Sequence, residues 1–161
     1  LSARTSKNPG QFKTRNNRAD NTQFVDVELV RGTLLEGFSF YQHLTDAFAR
    51  AAYIMFLLTE VHPFDDGNGR IARVMMNAEL VAADQSRILI PTVYREDYLL
   101  ALKRLTNAGD ATAYLKMLSR AHAFSATVHF PTRKAMARYL TDSHAFLDGE
   151  QPLRLRLPPG G

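Results

Sequence analysis

"AAYIMFLLTEVHPFDDGNGRIARVMMNAEL", residues 51–80, decides how the rest of the chain is read. Its first eight residues, Ala51 to Leu58, are apolar on every face of a helix, which marks a segment buried at the centre of a bundle. Pro63 stops that helix, because it has no N–H for the ladder and disfavours helical backbone in the residue before it. A second helix opens near Asn68 and runs through Ile71, Val74, Met75, Ala78 and Ala82 as one apolar stripe. Between the two stand a histidine, two acids and Gly-Asn-Gly, with two arginines just beyond. Groups that meet phosphate, metal or protons are set into what should be core.

Outward from this stretch the pattern stays helical. Val27, Val30, Leu34 and Leu35 recur at helical spacing, with Gly37 as the expected stop, and the buried helix should span about 45–59. Ile88-Leu89-Ile90-Pro91 reads as a strand or buried coil. Further helices are expected over 94–105 and 111–128, the latter capped by Asp110. Pro131 suits the first turn of a last helix reaching about Phe146. The tail after it alternates but has no evident strand partner. At the other end, Asn8-Pro9-Gly10 signals a turn, and residues 11–21 are polar apart from Phe12, a loop or weak hairpin. The fold class is all-α, a helical bundle with a short N-terminal flap. Its expected parts are a basic leader and flap over 1–25, a helical domain over 26–147 and a tail over 148–161.

At 161 residues the chain can bury a real core, and 45% hydrophobic with 22% charged residues is a globular composition. With no cysteine there is no disulfide, thiolate metal site or cysteine nucleophile. No apolar run approaches the roughly 20 residues of a membrane helix. Together with the missing cysteine this points to a cytoplasmic protein, and leaves secretion as an effector open. Leu1 opens without an initiator Met or a signal core, so a longer parent chain is expected. The net charge of +4 is uneven. Arg4, Lys7, Lys13, Arg15 and Arg18 precede the first acid, which reads as a solvated leader or as an arm for an anionic partner. Only Phe12 interleaves these charges, which argues against nucleic acid.

The opening stretch carries the chemistry. His62 ends one helix and Asn68 begins the next, so the tight loop between them holds the imidazole close to a helix N-terminus. Gly67 and Gly69 let a ligand approach the backbone, and the free N–H groups there, with the helix dipole, make an anion site. Arg70 and Arg73 project from one face of the first turn and suit a polyphosphate. A carboxylate beside phosphate makes sense if Mg²⁺ bridges them, which gives Asp66 or Asp65 a role. A histidine next to that centre is a natural base for a hydroxyl nucleophile. Taken singly, each feature has a plainer reading: a helix-end cap, a turn, a solvated face. Their coincidence within twelve residues, joined to a buried helix, favours Mg²⁺-dependent attack by a hydroxyl on a nucleotide phosphate. The rival dinucleotide fingerprint in Gly67-Asn68-Gly69-Arg70-Ile71-Ala72 fails, because no strand precedes it and helices lie on both sides. His43, His122, His129 and His144 make no zinc-binding pair.

The run His62-Pro63-Phe64-Asp65-Asp66-Gly67-Asn68-Gly69-Arg70-Ile71-Ala72-Arg73 resembles the Fic family signature His-Pro-Phe-x-Asp/Glu-Gly-Asn-Gly-Arg-x-x-Arg at every specified position. The resemblance extends from about Pro9 to Tyr98. It implies an all-α enzyme that transfers AMP from ATP to a Ser, Thr or Tyr hydroxyl of a target protein. It also implies roles: His62 as base, Asp66 for Mg²⁺, and the Gly67–Gly69 backbone with the Asn68 side chain as anion hole. Arg70 and Arg73 would hold the outer phosphates, and Phe64 would anchor the loop in the core. Gly10-Gln11-Phe12-Lys13-Thr14-Arg15 resembles the family flap, a hairpin that aligns the target by strand addition, so Phe12, Lys13, Thr14 and Arg15 are its expected contacts. Gly69 favours AMP transfer over the kinase-like branch, which has lysine there. Other nucleotide donors, and a non-catalytic nucleotide- or nucleic-acid-binding regulator, are the alternatives.

Many Fic proteins carry an inhibitory helix with Ser/Thr-x-x-x-Glu-Gly/Asn, whose glutamate pairs with the arginine equivalent to Arg73. Here only Thr92 and Glu96 have that spacing, and Asp97 follows where Gly or Asn belongs. Restraint is therefore expected from an upstream helix or an antitoxin-like partner, or the enzyme is unrestrained.

Overall fold

The computed structural model describes residues 10–19, 22–128, 130–147 and 155, and divides into two compact units, Leu1–Asp84 and Gln85–Gly161. The expected 26–147 domain spans that division. The expected tail lies outside the described residues except for Leu155, which is buried.

In the first unit a two-residue strand β1 (Arg18–Ala19) pairs antiparallel with β2 (Thr22–Gln23), Arg18 opposite Gln23. Three α-helices follow, α1 (Val30–Tyr41), α2 (Ala47–Val61) and α3 (Asn68–Ala82). A short 3₁₀ turn over Val27–Leu29 leads into α1. α2 is the central helix, as its unbroken apolar run requires: Ala51, Ala52, Ile54, Met55, Leu57, Leu58 and Val61 are all buried. Against it α3 places Ala72, Met76 and Leu80, each without solvent exposure. Asp46 caps α2 by accepting the Ala49 N–H at 2.7 Å.

Gly37 does not stop α1. The helix continues through it to Tyr41, because the absent side chain lets α1 approach α2: a Cβ there would lie 2.5 Å from Leu57 Cδ1. The helix ends one turn later, where Tyr41, Arg50 and Glu79 join the three helices. Arg50 Nε donates to Glu79 Oε2 at 2.7 Å, the guanidinium lies 4.2 Å from the Tyr41 ring centroid, and the Tyr41 hydroxyl donates to Glu79.

The second unit holds α4 (Arg95–Ala108), α5 (Thr112–Thr127) and α6 (Arg133–Asp142). The Ile88–Pro91 link is coil, fixed by Leu89 N–H bonding Ser125 Oγ at 2.8 Å. α5 begins one residue later than expected, yet Asp110 still accepts the Thr112 N–H at 3.0 Å. Thr132, not Pro131, opens α6, with its hydroxyl accepting the Ala135 N–H. The helix ends at Asp142, short of Phe146, and His144 follows it in the left-handed region. No helix among the described residues is long and apolar enough to cross a membrane.

Candidate active site

The site grows from the end of α2. A helix leaves its last carbonyls without partners, and Pro63 prevents the chain from supplying them by continuing. His62 therefore turns out of the helix in the left-handed conformation, φ 49°, unusual for a residue with a side chain. The leader then supplies the missing donors. Lys13 N–H bonds Pro63 O at 2.8 Å, and its ammonium reaches Val61 O at 3.4 Å and Asn17 Oδ1 at 2.7 Å. Asn17 Nδ2 donates to Phe64 O at 3.2 Å and His62 O at 3.4 Å. Lys13 is 2% exposed, so a positive charge is buried at the negative end of a helix dipole. Burial lowers its pKa, opposed by the charge of Asp26.

His62 is held on two sides. Its Nδ1 sits 3.2 Å from Thr59 O, which only a protonated Nδ1 can use, so Nε2 carries the free lone pair. Phe24, fixed by its N–H to Asn17 O, stacks on the imidazole at 3.7 Å between centroids and 11° between planes. Burial pushes the His62 pKa below the ordinary histidine value; the Thr59 bond opposes this and the Lys13 charge adds to it. A ring in this setting is neutral at pH 7 and can accept a proton.

The loop that follows is braced from inside. Asn68 is 2% exposed, and its amide holds Phe64 from both ends: Oδ1 accepts the Phe64 N–H at 2.9 Å, and Nδ2 donates to Phe64 O at 2.7 Å. The side chain expected in the anion hole is thus a brace, and what Asn68 offers a ligand is its backbone. Gly67, φ 84°, caps α3 and accepts the Arg70 and Ile71 N–H groups at 2.9 Å. The N–H groups of Asn68 and Gly69 have no partner among the described residues. The two arginines bend back over them. A Cβ on Gly67 would lie 3.4 Å from Arg70 Nη2, and one on Gly69 3.5 Å from Arg73 Nη1. Asp66 stands at the lip, accepting the Gly67 N–H at 2.7 Å with Arg70 at 3.6 Å.

One loop thus brings together His62, Asp66, Gly67, Asn68, Gly69, Arg70 and Arg73. Phe64 is half-buried and packs on Phe12, 5.9 Å between ring centroids. Of the expected flap residues, Phe12 and Lys13 meet the loop, while Thr14 and Arg15 stand exposed. The strands form further along, at 18–19 and 22–23, because residues 12–13 are drawn onto the end of α2 instead of pairing with a neighbour. Asn16, Asn17 and Phe24 were not singled out from the sequence. The Asn-Asn pair was the available signal, since such residues bond backbone groups locally. Asn16 Oδ1 accepts the Val27 N–H at 2.8 Å, fixing the entry to α1.

The first 80 residues, the part that builds this site, match the model of the Fic/DOC family. This half of the chain belongs to the Fic/DOC family. Among curated Fic/DOC relatives, a protein adenylyltransferase Fic of Nematostella vectensis is 36% identical over 101 residues, 58% of this chain and 23% of its own. The corresponding protein of Drosophila persimilis is 39% identical over 69 residues, 43% of this chain and 13% of its own. The chain thus spans under a quarter of the length of these relatives. Solved structures agree on the fold. A Fic domain containing signalling protein of Bacteroides thetaiotaomicron superposes with a TM-score of 0.62 at 22% identity, covering 74% of this chain and 53% of that one. IbpAFic2 covalently tethered to Cdc42 gives 0.56 at 21% identity, over 74% and 43%.

Proposed function

We propose that this chain transfers AMP from ATP to a hydroxyl of a protein, with His62 as general base. The observation that carries this is the His62 ring: neutral, anchored through Nδ1, with Nε2 free, one loop away from a helix N-terminus whose amides are unpartnered. Binding alone would need no such base. Relatives named protein adenylyltransferase support the same reading, and a structural neighbour covalently tethered to Cdc42 supports a protein acceptor.

In the proposed reaction His62 Nε2 takes the proton as a Ser, Thr or Tyr oxygen attacks the α-phosphorus of ATP. The bond between the α-phosphorus and the α–β bridging oxygen breaks, and pyrophosphate leaves with that oxygen. The Asn68 and Gly69 amides face the charge that builds on the phosphate, and Arg70 and Arg73 hold the outer phosphates. Asp66 would hold Mg²⁺, which neutralises phosphate charge when bound. No group of three candidate ligands occurs among the described residues, and a magnesium ion that keeps its waters and takes substrate oxygens needs only one or two carboxylates. Restraint of Arg73 would come from an upstream segment or a partner, or the enzyme would be unrestrained.

The test supplies α-labelled ATP, Mg²⁺ and cell lysate. Label should appear on protein, and His62→Asn should remove it. Asparagine tolerates the left-handed backbone, so the loop keeps its shape. Label transfer that survives His62→Asn would sink the catalytic role. Transfer from γ-labelled ATP would indicate phosphorylation, and nucleotide binding with no transfer would indicate a binding regulator.

A further inference from the structure

The second unit carries a cleft that the catalytic loop does not use. α4 and α5 enclose a cavity of about 280 Å³. Helical spacing makes its walls: Asp97, Ala101 and Arg104 form one stripe of α4, and Ala113, Met117 and Arg120 form the facing stripe of α5, with Lys116 beside it. Ala101 and Met117 are buried and give an apolar floor. Arg104, Lys116 and Arg120 are exposed at the rim, and none makes an ion pair among the described residues. Three cations meet two carboxylates, Asp97 in the cleft and Asp110 near Arg104, so the free cleft keeps a net positive charge.

A second observation points into the same space. Tyr94 is 9% exposed and lines the cleft, yet its hydroxyl has no hydrogen-bond partner among the described residues. No fully enclosed side-chain polar atom among the described residues lacks a partner, so this hydroxyl keeps access to solvent, on a residue that lines the cleft. Burial pushes the phenol pKa up, Arg120 pulls it down and Asp97 pushes it up, which puts both charges near the hydroxyl.

We propose that the α4–α5 cleft binds a phosphomonoester of about mononucleotide size, its phosphate among Arg104, Lys116, Arg120 and the Tyr94 hydroxyl. Two guanidiniums, an ammonium and a hydroxyl are more donors than two carboxylates can use, and they suit a dianion with three terminal oxygens. The apolar floor takes the organic part, which inorganic phosphate lacks. The volume lies near the lower end of small-ligand pockets, roughly 300 Å³. The proposal does not rest on the chemistry of the His62 loop.

The experiment titrates the whole 161-residue chain with AMP and follows backbone amides by NMR. Saturable shifts should appear on α4 and α5, and persist in an Arg70→Ala/Arg73→Ala chain, which removes the loop's side-chain phosphate donors. Arg104→Gln/Arg120→Gln should weaken the α4–α5 binding about tenfold or more, with the rest of the spectrum unchanged. Tyr94→Phe removes one donor atom only, should also weaken binding, and decides the matter if the double variant misfolds. Adenosine, which lacks phosphate, should leave α4 and α5 unshifted. The proposal is overturned if AMP leaves these amides unmoved, or if adenosine moves them equally. Binding indifferent to these substitutions, or a glutamate-rich peptide that shifts the amides where AMP does not, overturns it as well.

Discussion

At the scale of single residues, the site depends on side chains that never meet the reaction. Asn68 is the clearest. Replacing it with Ala leaves the Phe64 N–H without its partner, and should cost about 1–3 kcal/mol, read as a lower urea midpoint. Phe24 acts on the proposed base. By covering one face of the imidazole it excludes water, so Phe24→Ala should return the His62 pKa upward toward its ordinary value. In the proposed mechanism the neutral ring is the active form, so the acidic limb of kcat/KM should move to higher pH, and an NMR titration of the ring should move with it. An unmoved limb would deny Phe24 that role. The loop residues proposed to react were legible in the sequence because they lie within twelve consecutive residues. Asn17 and Phe24 were not, because their partner is more than thirty residues away and nothing local to them reports it.

At the scale of elements, α2 and α3 hold the loop between them as a rigid frame. Met76 has no solvent exposure at their interface, and Met76→Ala should cost about 2–5 kcal/mol in denaturant unfolding, the range for an emptied core site. The sequence placed these two helices well, since an all-apolar run and a single stripe have distinct patterns. It misplaced the end of α1, because a glycine that stops a helix and one that admits a neighbouring helix look alike until that neighbour, Leu57, is known. Asp46 was overlooked as a cap for a similar reason: one aspartate before an alanine is a weak signal. Leader residues read as solvated or target-facing proved in part to be a helix cap, and only the three-dimensional end of α2 explains why a lysine should be buried.

At the scale of the whole molecule, the shifted groups set how stability depends on pH. The His62 pKa is lower in the folded chain than its ordinary 6.5, so between the two values the unfolded chain holds more protons and stability rises with pH. Burial raises the Glu79 pKa, but bonds from Tyr41 and Arg50 outweigh this and leave it below 4.5, so its contribution is lost as pH falls through the acid range. Burial raises Tyr53, Tyr94 and Tyr114, whose unfolded phenols ionise first near pH 10, so there stability falls as pH rises. Thermal melts should therefore give a Tm that climbs from acid toward pH 6.5 and declines above about 10. A Tm that rose as pH fell below 6.5 would contradict the buried, neutral His62. The leader's hold on α2 also has a meaning in time. Lys13 and Asn17 reach residues 45 to 50 positions further along, so completing the His62 loop requires closing a long stretch of chain. On the ribosome those two residues emerge well before His62, and wait for it. The loop proposed to perform the chemistry is finished by a segment made long before it.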